Sequence, residues 1–326
     1  MPGAAPQDSA ESAVFGVESS LYVLIRIAHY AAVMALFGAV AMRLAVAPRA
    51  ARRTVGTAAF AAALARRLDR TMFWASLALA AITVARLAAQ HAALFGVGEP
   101  WSSTSLSALL QSAWGRGWCL AWVGVVAALG GAQTAGRVQR WGLLLIAVVA
   151  TAVSLGYSGH PAGAQSPLLA IAVDALHVAG AGAWLGGVGG LVLIGIPLAL
   201  HWREDGGHPA LADLVAAFTP VALAGAALVG VSGSVAAWRN VGSADLLLAS
   251  PYGRWLLAKL AALVTAASLG AYNWRRVGPS LGDEPGTRRL RRVAGGELAA
   301  MLVAMLITAV LVATPLPEGL AVTRAP

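Results

Sequence analysis

Eight apolar stretches, at about 21–44, 71–93, 114–135, 142–158, 168–198, 214–238, 254–274 and 294–314, govern what this chain can fold into. Most are long enough to cross roughly 30 Å of hydrocarbon as helices. In that medium only helices and closed barrels satisfy their own backbone polar groups. The fourth stretch is short, and the fifth is long enough to tilt or to run past the bilayer. Thr54–Leu68 is apolar but shorter, and reads as an interfacial helix or an extension of the second span. With 59% hydrophobic and 11% charged residues, the chain is not a soluble domain with a large core. The expected fold is an all-α polytopic membrane protein of eight transmembrane helices, embedded in the bilayer of the cell inner (cytoplasmic) membrane.

Arginine placement orients the spans. Loops 47–70, 136–141, 201–213 and 275–293 carry fifteen Arg, whereas the opposing segments carry two, Arg239 and Arg324. The positive-inside rule therefore predicts that both termini are periplasmic. The net charge of +9 is spread through those loops rather than gathered in a patch, which argues against nucleic acid as a partner. A single cysteine, Cys119, excludes an intrachain disulfide and any CxxC motif. No basic region or cleavage site precedes the first span, so no signal peptide is expected.

A repeated spacing then points to a site. His29 lies nine residues before Gly38, and His177 nine before Gly186, the two pairs being 148 positions apart. Arg26 and Asp174 each sit three places before their histidine, one helical turn away on the same face. Ionisable groups inside a membrane are costly and are functional candidates by default. Trp114-Gly115-Arg116 opens span three and Tyr252-Gly253-Arg254 opens span seven. Thr151-Ala152-Val153 and Thr308-Ala309-Val310 recur in spans four and eight. This common order predicts two parallel four-helix repeats, 21–158 and 159–316, between tails 1–20 and 317–326. Their pseudo-two-fold axis would run along the membrane normal. His29 and His177 would then share a depth of roughly 12 Å from the outer boundary.

His91 and His160 fall at the same outer face, whereas His201 and His208 lie in a cytoplasmic loop where solvated, inert imidazoles are expected. Imidazole ligates metals and haem iron alike. Either membrane histidine alone would equally serve as a polar helix–helix hydrogen bond. Met34 and Cys119 are soft groups suited to Cu(I), although Met is usually a gap-filler and Cys119 reads as a small buried hydrophobe. Asp174 is placed to partner His177 or to pair with Lys259 or an arginine. Glu297 is expected to interact with nearby arginines. The tryptophans near span ends, among them Trp101, Trp114 and Trp118, read as an aromatic belt. Gly182, Gly186 and Gly190 form a stripe for close helix packing.

His177 through Trp184 to Gly187 resembles the "LH…WLGG" helix of the copper resistance protein D (CopD) family. Ser158-Gly159-His160 is similar to that family's preceding "GH". Ser250–Arg254, Lys259 and Asn273 resemble its "YGR…K…N" span, and Glu297 and Thr314-Pro315 also fit. The resemblance runs from about 158 to 316, and more loosely over 20–45. It implies an inner-membrane copper-handling protein, non-enzymatic, working with a periplasmic copper-carrier protein. Its matched histidines are His160 and His177, with His29 in the N-terminal region. The chain lacks the Met-rich segment and CxxC of an autonomous copper importer. The family is also similar to haem-binding four-helix membrane cytochromes and HemJ-type oxidases. Three readings follow: a copper-binding permease for copper import or resistance, a haem b redox protein with His29 and His177 axial, and a non-catalytic dock for a copper carrier.

Overall fold

The computed structural model describes residues 16, 19–52, 58–134, 136–159 and 166–317, which are helical with no strand among them. Eight helices are long and apolar enough to cross a membrane. They are α1 (Ser20–Ala51), α2 (Ala58–Phe95), α4 (Ala113–Gln133), α5 (Arg137–Gly156), α6 (Pro167–His201), α7 (Gly207–Val241), α9 (Pro251–Ser280) and α10 (Glu284–Leu311). Two short helices, α3 (Ser103–Gln111) and α8 (Ala244–Ala249), precede α4 and α9. Each expected span has its helix, and the chain is a multi-pass membrane protein. The apolar stretch at Ala58–Leu68 is a continuous extension of α2 rather than a separate interfacial helix.

The recurring Gly-Arg pairs acquire a local meaning. Ser112 Oγ accepts the Gly115 N–H at 3.0 Å, and Ser250 Oγ accepts the Gly253 N–H at 3.0 Å. Each serine is thus the N-cap of its helix. A Cβ on Gly115 would overlap the Leu109 carbonyl oxygen, and one on Gly253 the Leu247 carbonyl oxygen. Glycine is needed there because the preceding short helix folds back onto the first turn of the long one.

Helices α1 and α6 cross through their glycines. A Cβ on Gly38 would overlap the Gly186 backbone, and one on Gly186 the Met34 carbonyl oxygen. Gly182 abuts Phe37 and Gly190 abuts Met42. The partners advance together along both chains, so the two helices run parallel. Small residues permit this approach in a bilayer, where van der Waals contact rather than water exclusion drives helix association. The glycine stripe therefore has the packing role expected of it.

The apolar core is densest towards the Arg-rich ends of the helices, around Leu36, Met42, Leu68, Met72, Leu144 and Leu214. There Asp69 of α2 accepts from Arg43 Nε of α1 at 3.0 Å and from Arg140 of α5, tying three helices together. His208 departs from expectation. It is buried at the start of α7, with Nδ1 2.8 Å from Thr287 Oγ1 of α10, and is a packing group rather than a solvated one. His201 is exposed, as expected. At the opposite end the helices spread apart around a cavity.

Candidate functional site

The cavity has a volume of about 280 Å³ and is lined by α1, α2, α5, α6, α7, α9 and α10. His29 and His177 both line it. Their place follows from the crossing. Each lies nine residues before its crossing glycine, roughly 13–14 Å back along a parallel helix, so both reach one level on the same wall. Met34 joins them from α1, together with Met301 and Met305 from α10. Three of the six methionines in the chain thus line this cavity. Met301 belongs to the same core cluster as Met42 and Met72, and Met34 and Met305 pack against it, so the three thioethers fill space as well as lining the cavity. Soft sulfur with imidazole nitrogen is a donor set suited to Cu(I).

Ser232 orients the His177 ring. Ser232 of α7 donates its one hydroxyl proton to the Leu228 carbonyl oxygen at 2.5 Å. With its proton so placed, Ser232 Oγ accepts from His177 Nδ1–H, 3.1 Å away. This leaves the lone pair of Nε2 available, the arrangement that outer partners impose on metal-binding histidines. Ser232 was not among the residues marked in the sequence, because nothing in a serine's local context distinguishes this use from helix back-bonding. His29 is 2% exposed and makes no hydrogen bond to a described residue.

Cations surround the donors. Among the described residues, Arg26, Arg86, Arg239 and Lys259 line the cavity with one acid, Asp174. Asp174 and Lys259 act on each other electrostatically, without the close ion pair that was one expectation for them. Asp174 makes no hydrogen bond to His177 either; Ser232 has that place. Arg26 donates to the Ala309 carbonyl oxygen at 2.7 Å and covers the Tyr22 ring. Tyr22 in turn donates to Gln90 Oε1 at 2.5 Å.

Other expected ligands lie elsewhere. His91 is buried away from the cavity, stacked on Trp101 with ring centroids 4.0 Å apart. Cys119 is exposed on the outer face of α4, not the buried hydrophobe expected. His160 lies outside the described residues; the described chain reaches the cavity edge at Ser158 and Gly159. Among the described residues no three His, Cys, Asp or Glu side chains are grouped to hold a metal ion. Two of the belt tryptophans also do other work. Trp118 Nε1 donates to the Thr83 carbonyl oxygen at 2.9 Å, and the Trp114 ring lies under Arg86.

Glu297 does not meet arginines. Its carboxylate accepts from Trp184 Nε1 at 3.1 Å and Asn273 Nδ2 at 3.0 Å, buried where α6, α9 and α10 meet. Trp184 lines the cavity, so Glu297 fixes one side of its wall. Glu297→Ala leaves two donors without an acceptor and is expected to destabilise by about 2–6 kcal/mol, at roughly 1–3 kcal/mol per orphaned group. Glu297→Gln, which keeps a carbonyl oxygen, should lose less. Thermal unfolding of the two variants in detergent checks this, and equal losses would deny the carboxylate that role.

Comparison with known proteins agrees with this architecture. A model described as copper resistance protein D-like, N-terminal domain, matches residues 17–170, and one described as copper resistance protein D matches 212–311. The first extends the similarity well beyond the loose N-terminal resemblance over 20–45. His29 lies within it, and His177 lies between the two matched intervals. The copper transport protein CutJ of Bacillus subtilis (strain 168) is 30% identical over 134 residues, covering 41% of this chain and 24% of that protein. The chain thus aligns with about a quarter of that relative's length. No solved structure matches. The two family models between them leave only the chain ends and 171–211 unmatched, and the chain belongs to the copper resistance protein D family.

Proposed function

We propose that this protein accepts copper at the outer face of the cytoplasmic membrane, in the cavity that His29 and His177 share, and passes it inward. The observation that carries this reading is that two imidazoles, on helices whose crossing sets their level, line one cavity together with three thioethers. Copper is the substrate here. Neutral imidazole nitrogen and thioether sulfur bind Cu(I) without placing added negative charge in the membrane. His177 Nε2 and a ring nitrogen of His29 are the first ligands, and Met34, Met301 and Met305 offer sulfur for onward transfer. The similarity to the copper transport protein CutJ of Bacillus subtilis supports the same substrate.

The basic lining does not draw in a free cation, which favours delivery by a periplasmic copper-carrier protein over capture from solution. His160, beside the cavity edge in sequence, is the further ligand proposed for that entry. A cavity of about 280 Å³ lies at the small end of pockets for organic ligands, which favours an ion over haem b. Metal analysis and the absorption spectrum of detergent-purified protein test the reading together. Bound copper without a Soret band supports it; a Soret band lost from His29→Ala would overturn it in favour of haem.

The orientation proposed is periplasmic for both termini, with the cavity end outside. The parallel crossing of α1 and α6 and the matching capped starts of α4 and α9 support descent from a duplicated four-helix unit. Reporter fusions at 47–70 and 275–293 are expected to report cytoplasmic locations. Either one found outside would invert the cavity and defeat delivery from the periplasm.

A further inference from the structure

Glu297 is a buried acid held by neutral groups. It is 5% exposed on α10, one turn before Met301 of the cavity lining, and so roughly 6 Å nearer the Arg-rich ends. Trp184 Nε1 donates to Oε1 at 3.1 Å and Asn273 Nδ2 to Oε2 at 3.0 Å. The carboxyl lies so close to α9 that a Cβ on Gly270 would fall 2.7 Å from Oε1. Both donors stand in widened, π-helical turns, Gly182–Gly186 of α6 and Asn273–Val277 of α9. Such turns occur frequently at functional sites. The Asn273 amide is only half used, because its Oδ1 is buried without a hydrogen-bond partner. A half turn of the amide would present Oδ1 to the carboxyl in place of Nδ2, as the acceptor for an O–H. One side chain thus serves a carboxylate in one orientation and a carboxylic acid in the other.

The helices packed around Glu297 bring no other titratable side chain to its level. None occurs at 31–42 of α1, 182–200 of α6, 214–238 of α7 or 260–271 of α9. Arg275 and Arg276 follow on α9, and Arg291 and Arg292 precede Glu297 on α10, all four exposed. Tyr272, beside Asn273, is also exposed and accepts from Arg289. Among the described residues no cation is ion-paired with Glu297. An ionised carboxylate is costly in such an apolar layer, and a bound proton neutralises it. A Cu(I) ion arriving in the adjoining cavity reverses the balance, since a nearby positive charge favours the ionised acid. We propose that Glu297 is a proton-binding site at the floor of the cavity, a carboxylic acid while the cavity is empty that releases its proton to solvent when copper arrives. The O–H bond breaks, the proton leaves and the electron pair stays on the carboxylate. One positive charge replaces another, and nothing is oxidised or reduced. The coupling to copper rests on the copper reading above; the proton site stands without it.

Infrared spectroscopy of the full chain in non-ionic detergent, at neutral pH with a metal chelator present, tests the site. The parent is expected to show the carbonyl stretch of a protonated carboxyl, identified by its shift in D2O. Glu297→Gln should lose that band, and Asp174→Asn, which removes an acid of the cavity lining, should keep it. Trp184→Phe, which removes the donor to Oε1, should move the band to higher frequency, and it decides the assignment if Glu297→Gln does not fold. The chelator is then removed and Cu(I) is added anaerobically in weak buffer. The parent should lose the band and release about one proton per copper bound, as metal binding at a protonated site does. Glu297→Gln should release none while binding copper. Absence of the band in the parent overturns the site, as does a band undiminished in Glu297→Gln or unmoved in Trp184→Phe. A band that persists when copper binds overturns the coupling. A Glu297 band in a protein that binds no copper removes only the copper reading, and copper bound without the band removes only the proton site.

Discussion

His29→Ala and His177→Ala should each lower copper affinity by on the order of 100-fold, and the double substitution should add little to either. The basis is geometric. Both side chains line one cavity on parallel helices that cross at Gly38 and Gly186. Ligands of one ion act as a unit, so their losses are not additive. Ser232→Ala offers a sharper test. It touches no metal, yet it removes the acceptor that holds His177 Nδ1–H and aims Nε2 inward. Such outer partners are worth about 10–100-fold in metal affinity. His201→Ala, exposed at the other end, should bind copper as the parent does. His208→Ala should bind copper normally but unfold at lower temperature, because it breaks the contact with Thr287. Copper titration of the five variants and the double variant checks all of this. Full copper retention by both single membrane-histidine variants would return the two residues to a structural role.

The sequence carried the spans and the histidine pair for different reasons. Span position is a property of local hydropathy, which a bilayer reads almost directly. The pair was legible because each histidine keeps a fixed distance to a glycine, and that distance became a crossing. What could not be read were long-range partners. Glu297 was assigned to arginines that lie near it in sequence, whereas its carboxylate meets Trp184, 113 positions away. Met301 and Ser232 carry no local mark, since their use depends on which helix faces them. Cys119 failed because a cysteine in an apolar helix reads as buried, and α4 turns that face outward. The short helices α3 and α8 were hidden in loops, although Ser112 and Ser250, three residues before their glycines, were the available signal.

Gly38→Ala is expected to abolish copper binding while leaving a folded protein, and Gly186→Leu to prevent folding. A Cβ on Gly38 falls within the backbone of Gly186, with no flexible side chain there to yield. Helices α1 and α6 must then part or shift along each other. Overpacking of this kind costs about 1–3 kcal/mol for a methyl group, and more for a larger side chain. The functional loss should exceed the loss of stability, because the crossing is the pivot that brings both histidines to one level. A shift of roughly 1 Å at the pivot displaces both donors, whereas a ligand set needs placement within about 0.5 Å. Gly142→Ala and Gly230→Ala, where a Cβ would meet nothing within 4 Å, provide the matched controls and should retain copper. The measurement pairs thermal unfolding with copper stoichiometry on each variant. Parent-like copper affinity in Gly38→Ala would mean that the histidines hold their positions without the crossing. The nine-residue spacing would then be a matter of packing alone.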